Sequence, residues 1–141
     1  MAKKVEHLMA QGVVVATPEH TVDYVRRQIL TLDIHAVPVA DASGRPLGIV
    51  RSRDLLRSGN PETPVSEVMC RELVTVDRAA AAEVAAQLMQ SHRLRQLVVV
   101  DGDKIVGIVS AFDLLAMLVE GPSEFSTGVI DLRALRSELP D

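Results

Sequence analysis

The sequence predicts an α/β (α+β) fold made of tandem β-α-β-β-α repeats packed as one unit, and three observations carry that prediction. First, the 141-residue chain nearly repeats itself after 60 residues. Val5-Glu6-His7-Leu8-Met9 aligns with Val65-Ser66-Glu67-Val68-Met69, Val14 with Val74, Val39 with Val99, and Asp41 with Asp101. One residue is then lost in a turn. At offset 59, Gly48-Ile49-Val50 aligns with Gly107-Ile108-Val109, and Asp54-Leu55-Leu56 with Asp113-Leu114-Leu115. Second, each copy alternates short β-branched runs with a stretch of helical periodicity. Third, each copy is under about 60 residues, too small to bury an adequate core alone, so the two should pack together. The expected organisation is repeat 1 over residues 1–60, repeat 2 over 61–120, and a tail over 121–141.

In the first copy, residues 13–16 form a β-branched run read as a strand, and Thr17-Pro18-Glu19-His20-Thr21 is turn and cap chemistry. A helix follows over about 22–32, with Val22, Val25, Ile29 and Leu32 on one face. Residues 36–40 are the second strand, Asp41-Ala42-Ser43-Gly44-Arg45-Pro46 the hairpin turn, and 47–50 the third strand. A short helix over 52–58 is stopped by Gly59-Asn60-Pro61, and residues 61–64 make a stiff joint between the copies. The second copy repeats the order. It has a strand over 73–76, a helix over about 80–91 favoured by the alanines at 79–82, and strands over 96–100 and 104–109 around Asp101-Gly102-Asp103. A last helix spans 110–119. Beyond Gly121-Pro122, Val129, Leu132, Leu135 and Leu139 mark a weak amphipathic helix that either patches the core or meets a partner.

Composition narrows the function classes. Hydrophobic residues are 48% and charged residues 24%, a globular balance that excludes disorder over most of the length. No apolar run approaches the roughly 20 residues of a membrane span, and Met1-Ala2-Lys3-Lys4 leads into no signal-peptide core. The expectation is therefore a cytoplasmic, soluble protein with no membrane partner. The single Cys70 excludes an intramolecular disulfide framework and a multi-cysteine zinc site, and is read as an inert buried thiol. Fifteen Lys and Arg against 19 Asp and Glu give a formal charge of −4, which argues against nucleic acid as a partner. The aromatics, Tyr24, Phe112 and Phe125, are too few to make stacking platforms for single strands. His7, His20 and His92 show no metal-ligand spacing and read as surface residues.

The informative chemistry follows the third strand of each copy. In Gly107-Ile108-Val109-Ser110-Ala111-Phe112-Asp113-Leu114-Leu115, Ser110 stands where a strand gives way to a helix and Asp113 lies in the first helical turn. Two readings are open there. A helix start with a serine hydroxyl suits a phosphate, and the Asp113 carboxylate suits ribose hydroxyls. Equally, Ser-x-x-Asp ahead of an apolar run has the form of a capping box.

Taken with the duplication, these residues make the chain resemble the paired cystathionine-β-synthase (CBS) domains, or Bateman module, over about residues 5–119. The resemblance rests on the duplicated unit, the Val-x-x-x-Met opening segments, the strand His35-Ala36-Val37-Pro38-Val39-Ala40-Asp41, and the Gly-Ile-Val-x-x-x-Asp-Leu-Leu ends. It implies a CBS-pair fold and a homodimer that binds an adenosyl ligand (AMP, ADP, ATP or S-adenosylmethionine) between the repeats and regulates another protein. It implies no required cofactor; the nucleotide is a regulatory ligand.

Carried onto this sequence, site A takes Ser110 and Asp113 for phosphate and ribose, with an adenine slot of Met9, Gly12, Val14, Ile34, His35 and Ala36. Aliphatic side chains and backbone suit a purine face and its amino edge. Site B takes Asp54 with Met69, Val74, Leu94 and Arg95. There Arg51 replaces the expected small hydroxyl, and it either clamps a phosphate directly or fills the cleft; site A is accordingly the better site. Gln96 stands where relatives carry a cation, a role Arg95, Arg51 and Arg53 could take. Arg93 and Arg95 are alternatively a solvated loop, and His35 alternatively a strand edge. No nucleophile–base pair, metal cluster or facing carboxylate pair is evident, so no catalytic residue is assigned. The reading is a non-catalytic nucleotide-sensing module. The alternative is a ligand-free dimerisation or interaction scaffold with degenerate clefts.

Overall fold

Thr21 starts the first long helix: its Oγ1 accepts the Tyr24 N–H at 3.1 Å, satisfying one of the donors that a helix start leaves free. A computed structural model describes residues 3–10, 13–57 and 59–119. In order, the elements of the first copy are α1 (Val5–Leu8), α2 (Val22–Leu32), β1 (Ala36–Ala40), β2 (Pro46–Arg51) and a 3₁₀ helix (Ser52–Arg57). The second copy has a 3₁₀ turn (Val65–Glu67), β3 (Thr75–Asp77), α3 (Ala82–His92), β4 (Gln96–Asp101), β5 (Lys104–Ser110), α4 (Ala111–Leu114) and a 3₁₀ helix (Leu115–Leu118). The expected tail helix lies outside the described residues. Among the described residues, no helix is long and apolar enough to cross a membrane.

Both hairpins are antiparallel. β1 pairs with β2 through Val37↔Val50 and Val39↔Gly48, and β4 with β5 through Leu97↔Val109 and Val99↔Gly107. β3 runs parallel to β4. Alternate residues of β1 and β4 face different layers. Val37 and Val39 turn to α2, Leu97 and Val99 turn to α3, and Ala36, Ile49, Val98 and Val100 form a third cluster between the sheets. The two hairpin turns meet as well: Ile105 N–H donates to Gly44 O at 3.1 Å, and Arg45 Nε lies 2.8 Å from Asp103 Oδ2.

The opening segments are exchanged between copies. Val5 is fully buried in the core of the second copy, where its N–H donates to Ala80 O at 2.9 Å. Val65, Val68 and Met69 are buried in the core of the first copy, and Val22 N–H donates to Thr63 O at 2.8 Å. Neither core closes without the other copy's segment, the physical form of the expected joint packing. The repeated glycines permit this. A Cβ on Gly107 would stand 2.7 Å from Met9 Sδ and 2.8 Å from Ala10 O; one on Gly48 would stand 2.7 Å from Cys70 O and 2.9 Å from Met69 Sδ.

Several expected elements are corrected. Residues 13–16 form no strand; only Ala16 bridges to Val39, because the Ala16 N–H and C=O are the groups that reach Pro38 and Ala40. The strand expected at 73–76 is β3, Thr75–Asp77. α3 starts at Ala82 rather than 80, since Asp77 Oδ1 accepts the Ala79 N–H at 2.8 Å and Asp77 O the Ala80 N–H at 3.0 Å, holding the alanines in a turn. Leu32 is 46% exposed, not part of the buried face. The chain turns left-handed at Asp33 (φ 53) and Ile34 packs on the core instead. The helices expected at 52–58 and 110–119 wind wholly or partly as 3₁₀. Ser58 lies outside the described residues.

Candidate functional site

The pseudo-repeat brings equivalent segments of the two copies to one cleft. The two long helices, α2 and α3, each end at a left-handed residue, Asp33 (φ 53) or Arg93 (φ 54), and the following loop supplies a carbonyl to the other end of its own copy. His35 O accepts the Ser52 N–H at 3.1 Å, and Arg95 O accepts the Ala111 N–H at 2.8 Å. The end of β2, the end of β5 and both helix-to-strand loops therefore line a common cavity of about 850 Å³. That volume is within the range of small-molecule sites.

Of the residues expected in site A, His35 and Ser110 line this cavity; of site B, Arg51, Val74, Leu94 and Arg95 do. Arg53, Arg93 and Gln96 line it too. Met9, Val14, Ile34, Ala36, Asp113, Asp54 and Met69 do not. Met9 packs on the second core, Val14, Ile34 and Met69 on the first, and Ala36 is buried between the sheets. Gly12 lies outside the described residues. Cys70 corrects the expectation of a buried thiol: it is half-buried and faces the cavity, while its backbone N–H donates to Ile49 O at 2.8 Å. Phe112, 80% exposed, also lines the cavity; nothing in its local pattern distinguished it from an ordinary helix residue.

The two equivalent carboxylates differ. Ser110 and Asp113 complete a capping box, with Ser110 N–H donating to Asp113 Oδ2 at 2.8 Å and Asp113 N–H donating to Ser110 Oγ at 3.0 Å. Asp113 is only half-buried, and its Oδ1 accepts no hydrogen bond among the described residues. Asp54 is fully buried. Its Oδ2 accepts the Arg51 N–H at 2.8 Å and Nε at 3.0 Å, and its Oδ1 accepts Arg51 Nη2 at 3.3 Å. Arg57 adds an ion pair at 3.8 Å. The hydrogen bond to Asp54 raises the Arg51 pKa further above its ordinary value. Arg51 thus covers the carboxylate of its own copy while standing in the cleft wall, which shows where its bulk goes in place of a hydroxyl.

The remaining histidines are accounted for locally. His7 Nδ1 accepts the Lys4 N–H at 3.2 Å, His20 Nδ1 accepts the Thr17 N–H at 2.9 Å, and His92 Nδ1 is 3.0 Å from Leu88 O. Among the described residues, no group of three or more His, Cys, Asp or Glu could hold a metal ion.

With this geometry in hand, comparison with known proteins is direct. The family model of the CBS domain matches twice, at residues 5–60 and 65–120. The chain belongs to the CBS-domain family. A CBS domain-containing protein of Bacillus subtilis, YhcV, is 33% identical over 115 residues, covering 78% of this chain and 81% of the relative. The inosine-5′-monophosphate dehydrogenase of Rhizobium tropici is 34% identical over 119 residues, but this CBS pair spans only 23% of that enzyme's length. Among solved structures, the Vibrio cholerae protein AcuB superposes with a TM-score of 0.76 at 32% identity over 100% of both chains. The cytosolic domain of the Mg²⁺ channel MgtE, solved in complex with ATP, gives 0.73 at 31% identity, covering 81% of this chain and 48% of that one. The mixed α+β architecture is that of CBS pairs.

Proposed function

We propose that this CBS pair is a non-catalytic regulatory module that binds an adenosyl nucleotide in the cleft between its copies. The carrying observation is the contrast between the two carboxylates: Asp113 keeps Oδ1 open, whereas Asp54 is sealed by Arg51. In this reading ribose hydroxyls sit on Asp113, phosphate beside Ser110, and the base in the slot of Met9, Val14, Ile34, His35 and Ala36, of which His35 borders the cavity. Arg51, Asp54, Met69, Val74, Leu94 and Arg95 make the second, weaker site, whose carboxylate Arg51 covers. The ATP complex of MgtE, 31% identical, supports this class of ligand.

The signal is a population shift. Beyond the exchanged opening segments, the copies touch through the small cluster of Ala36, Ile49, Val98 and Val100 and through the Arg45–Asp103 pair. A ligand bridging the cleft favours one relative tilt, which a regulated protein reads. The module acts in the cytoplasm as a homodimer, without nucleic acid or membrane as partner; the exposed Leu56, Leu115 and Leu118 offer apolar surface for a second copy.

Thermal unfolding of ligand-free protein with AMP, ADP, ATP and S-adenosylmethionine tests this. A ligand at 100 times its Kd adds about 2.7 kcal/mol, or roughly 5–11 °C in Tm for a chain of this length. A scaffold with empty clefts is the second reading, favoured by the completed capping box at Ser110. Asp113→Ala separates the two. Loss of the ligand-induced shift supports sensing; loss of only about 1 kcal/mol of cap stability, with no shift in the parent protein, supports the scaffold.

A further inference from the structure

The chain carries a formal charge of −4, yet the cleft inverts that sign. Arg51, Arg53, Arg93 and Arg95 line the cavity against a single acidic side chain, Glu72. Arg51 is neutralised by Asp54. Arg53, Arg93 and Arg95 make no ion pair among the described residues; outside the cavity Arg26, Arg27, Arg45, Arg57 and Arg78 are ion-paired, and Arg71 donates to Ser66 O at 3.1 Å. Unpaired guanidinium groups from both copies thus converge on one concave site whose low-dielectric walls strengthen their field. Arg53 follows β2 in the first copy; Arg93 and Arg95 belong to the α3–β4 loop of the second. Ser110 borders the same space and is hydrogen-bonded to Asp113 at 2.8 and 3.0 Å, so the phosphates of a nucleotide with its ribose on Asp113 lie next to this cavity.

We infer that the cleft selects its ligand by phosphate count, taking a nucleoside di- or triphosphate over a monophosphate and discriminating against the cationic sulfonium of S-adenosylmethionine. This rests on the nucleotide reading above and specifies it. Guanidinium forks hold phosphate oxygens in charge-assisted pairs, and each further phosphate adds such a pair. A sulfonium placed among three unpaired arginines meets like charge instead. Because Arg53 and Arg95 reach the cleft from different copies, a polyphosphate also ties the copies together more firmly than a monophosphate does.

Isothermal titration of the full chain in metal-free buffer tests this with adenosine, AMP, ADP, ATP, S-adenosylmethionine and inorganic tripolyphosphate. The expected affinity rises about tenfold per phosphate from AMP to ATP, the order of one charge-assisted pair. S-adenosylmethionine binds at least about 100-fold more weakly than ATP, and the ATP-to-AMP ratio falls as salt rises. In Arg53→Ala/Arg95→Ala that ratio drops below about threefold, and Arg53→Lys/Arg95→Lys recovers part of it. Circular dichroism of both variants checks that the fold is kept. AMP, ADP and ATP binding within threefold of one another, or S-adenosylmethionine matching ATP, overturns the inference while leaving the nucleotide reading intact. Tripolyphosphate binding without any adenosyl compound sustains the arginine cradle and overturns the nucleotide reading. Binding of none overturns both.

Discussion

Arg51→Ala is the most informative structural perturbation, because it strips a buried carboxylate of its principal partner. Asp54 is fully buried, and the Arg51 side chain supplies hydrogen bonds at 3.0 and 3.3 Å. Removing one member of a fully buried pair costs about 3–5 kcal/mol. Three features reduce that here. The Arg51 side chain is 24% exposed, its backbone N–H would still donate at 2.8 Å, and Arg57 stays within 3.8 Å. The expected loss is therefore about 2 kcal/mol, equivalent to roughly 4–8 °C in Tm. Urea unfolding at pH 7, with thermal unfolding alongside, measures it. Arg57→Ala, whose side chain is 64% exposed, is the control and should cost about 0.5 kcal/mol or less. If Arg51→Ala falls within about 0.5 kcal/mol of the parent, the account of a sealed second carboxylate is refuted.

Other consequences follow from the same contacts. Gly107→Ala drives a methyl group into Met9 Sδ and Ala10 O, so it should cost about 1–3 kcal/mol in urea unfolding and speed amide exchange at Ala10; an unchanged midpoint would contradict the close approach. Glu6 is held below its ordinary value of 4.5 chiefly by the Arg78 hydrogen bond at 2.7 Å, and Asp41 below 3.8 chiefly by the Arg45 N–H. Since both folded values are lowered, their stabilisation is present above the ordinary values and is lost as pH falls through the folded ones. Urea midpoints should decline as pH drops below 4.5, and Arg78→Ala should flatten that decline; an identical profile in the variant would exclude the Glu6 pair as a cause.

Much of this fold is legible in the sequence because the repeat is written in residues whose packing tolerates few alternatives. Gly48 and Gly107 align since each must admit the other copy's methionine segment, and Val22, Val25 and Ile29 mark the buried helix face. Less legible is what depends on partners distant in sequence. Periodicity identifies Val5 and Val65 as apolar but says nothing of which core receives them, so the exchange of opening segments is visible only in three dimensions. Likewise, an alanine run favours helix, yet Asp77 diverts its first turn through a local hydrogen bond. At the site, the Ser110 and Asp113 pairing is readable from spacing, whereas the choice open to Arg51 depends on the depth of Asp54, a tertiary property. The convergence of Arg53 with Arg93 and Arg95 has the same origin, since they lie some 40 residues apart in the chain.

A crystal structure of the chain grown with ATP tests the central claim most directly. The account predicts a ribose hydroxyl oxygen about 2.5–3.0 Å from Asp113 Oδ1, with the triphosphate directed toward Arg53 and Arg95. An empty cleft at saturating nucleotide, or a nucleotide bound with its sugar away from Asp113, would contradict it.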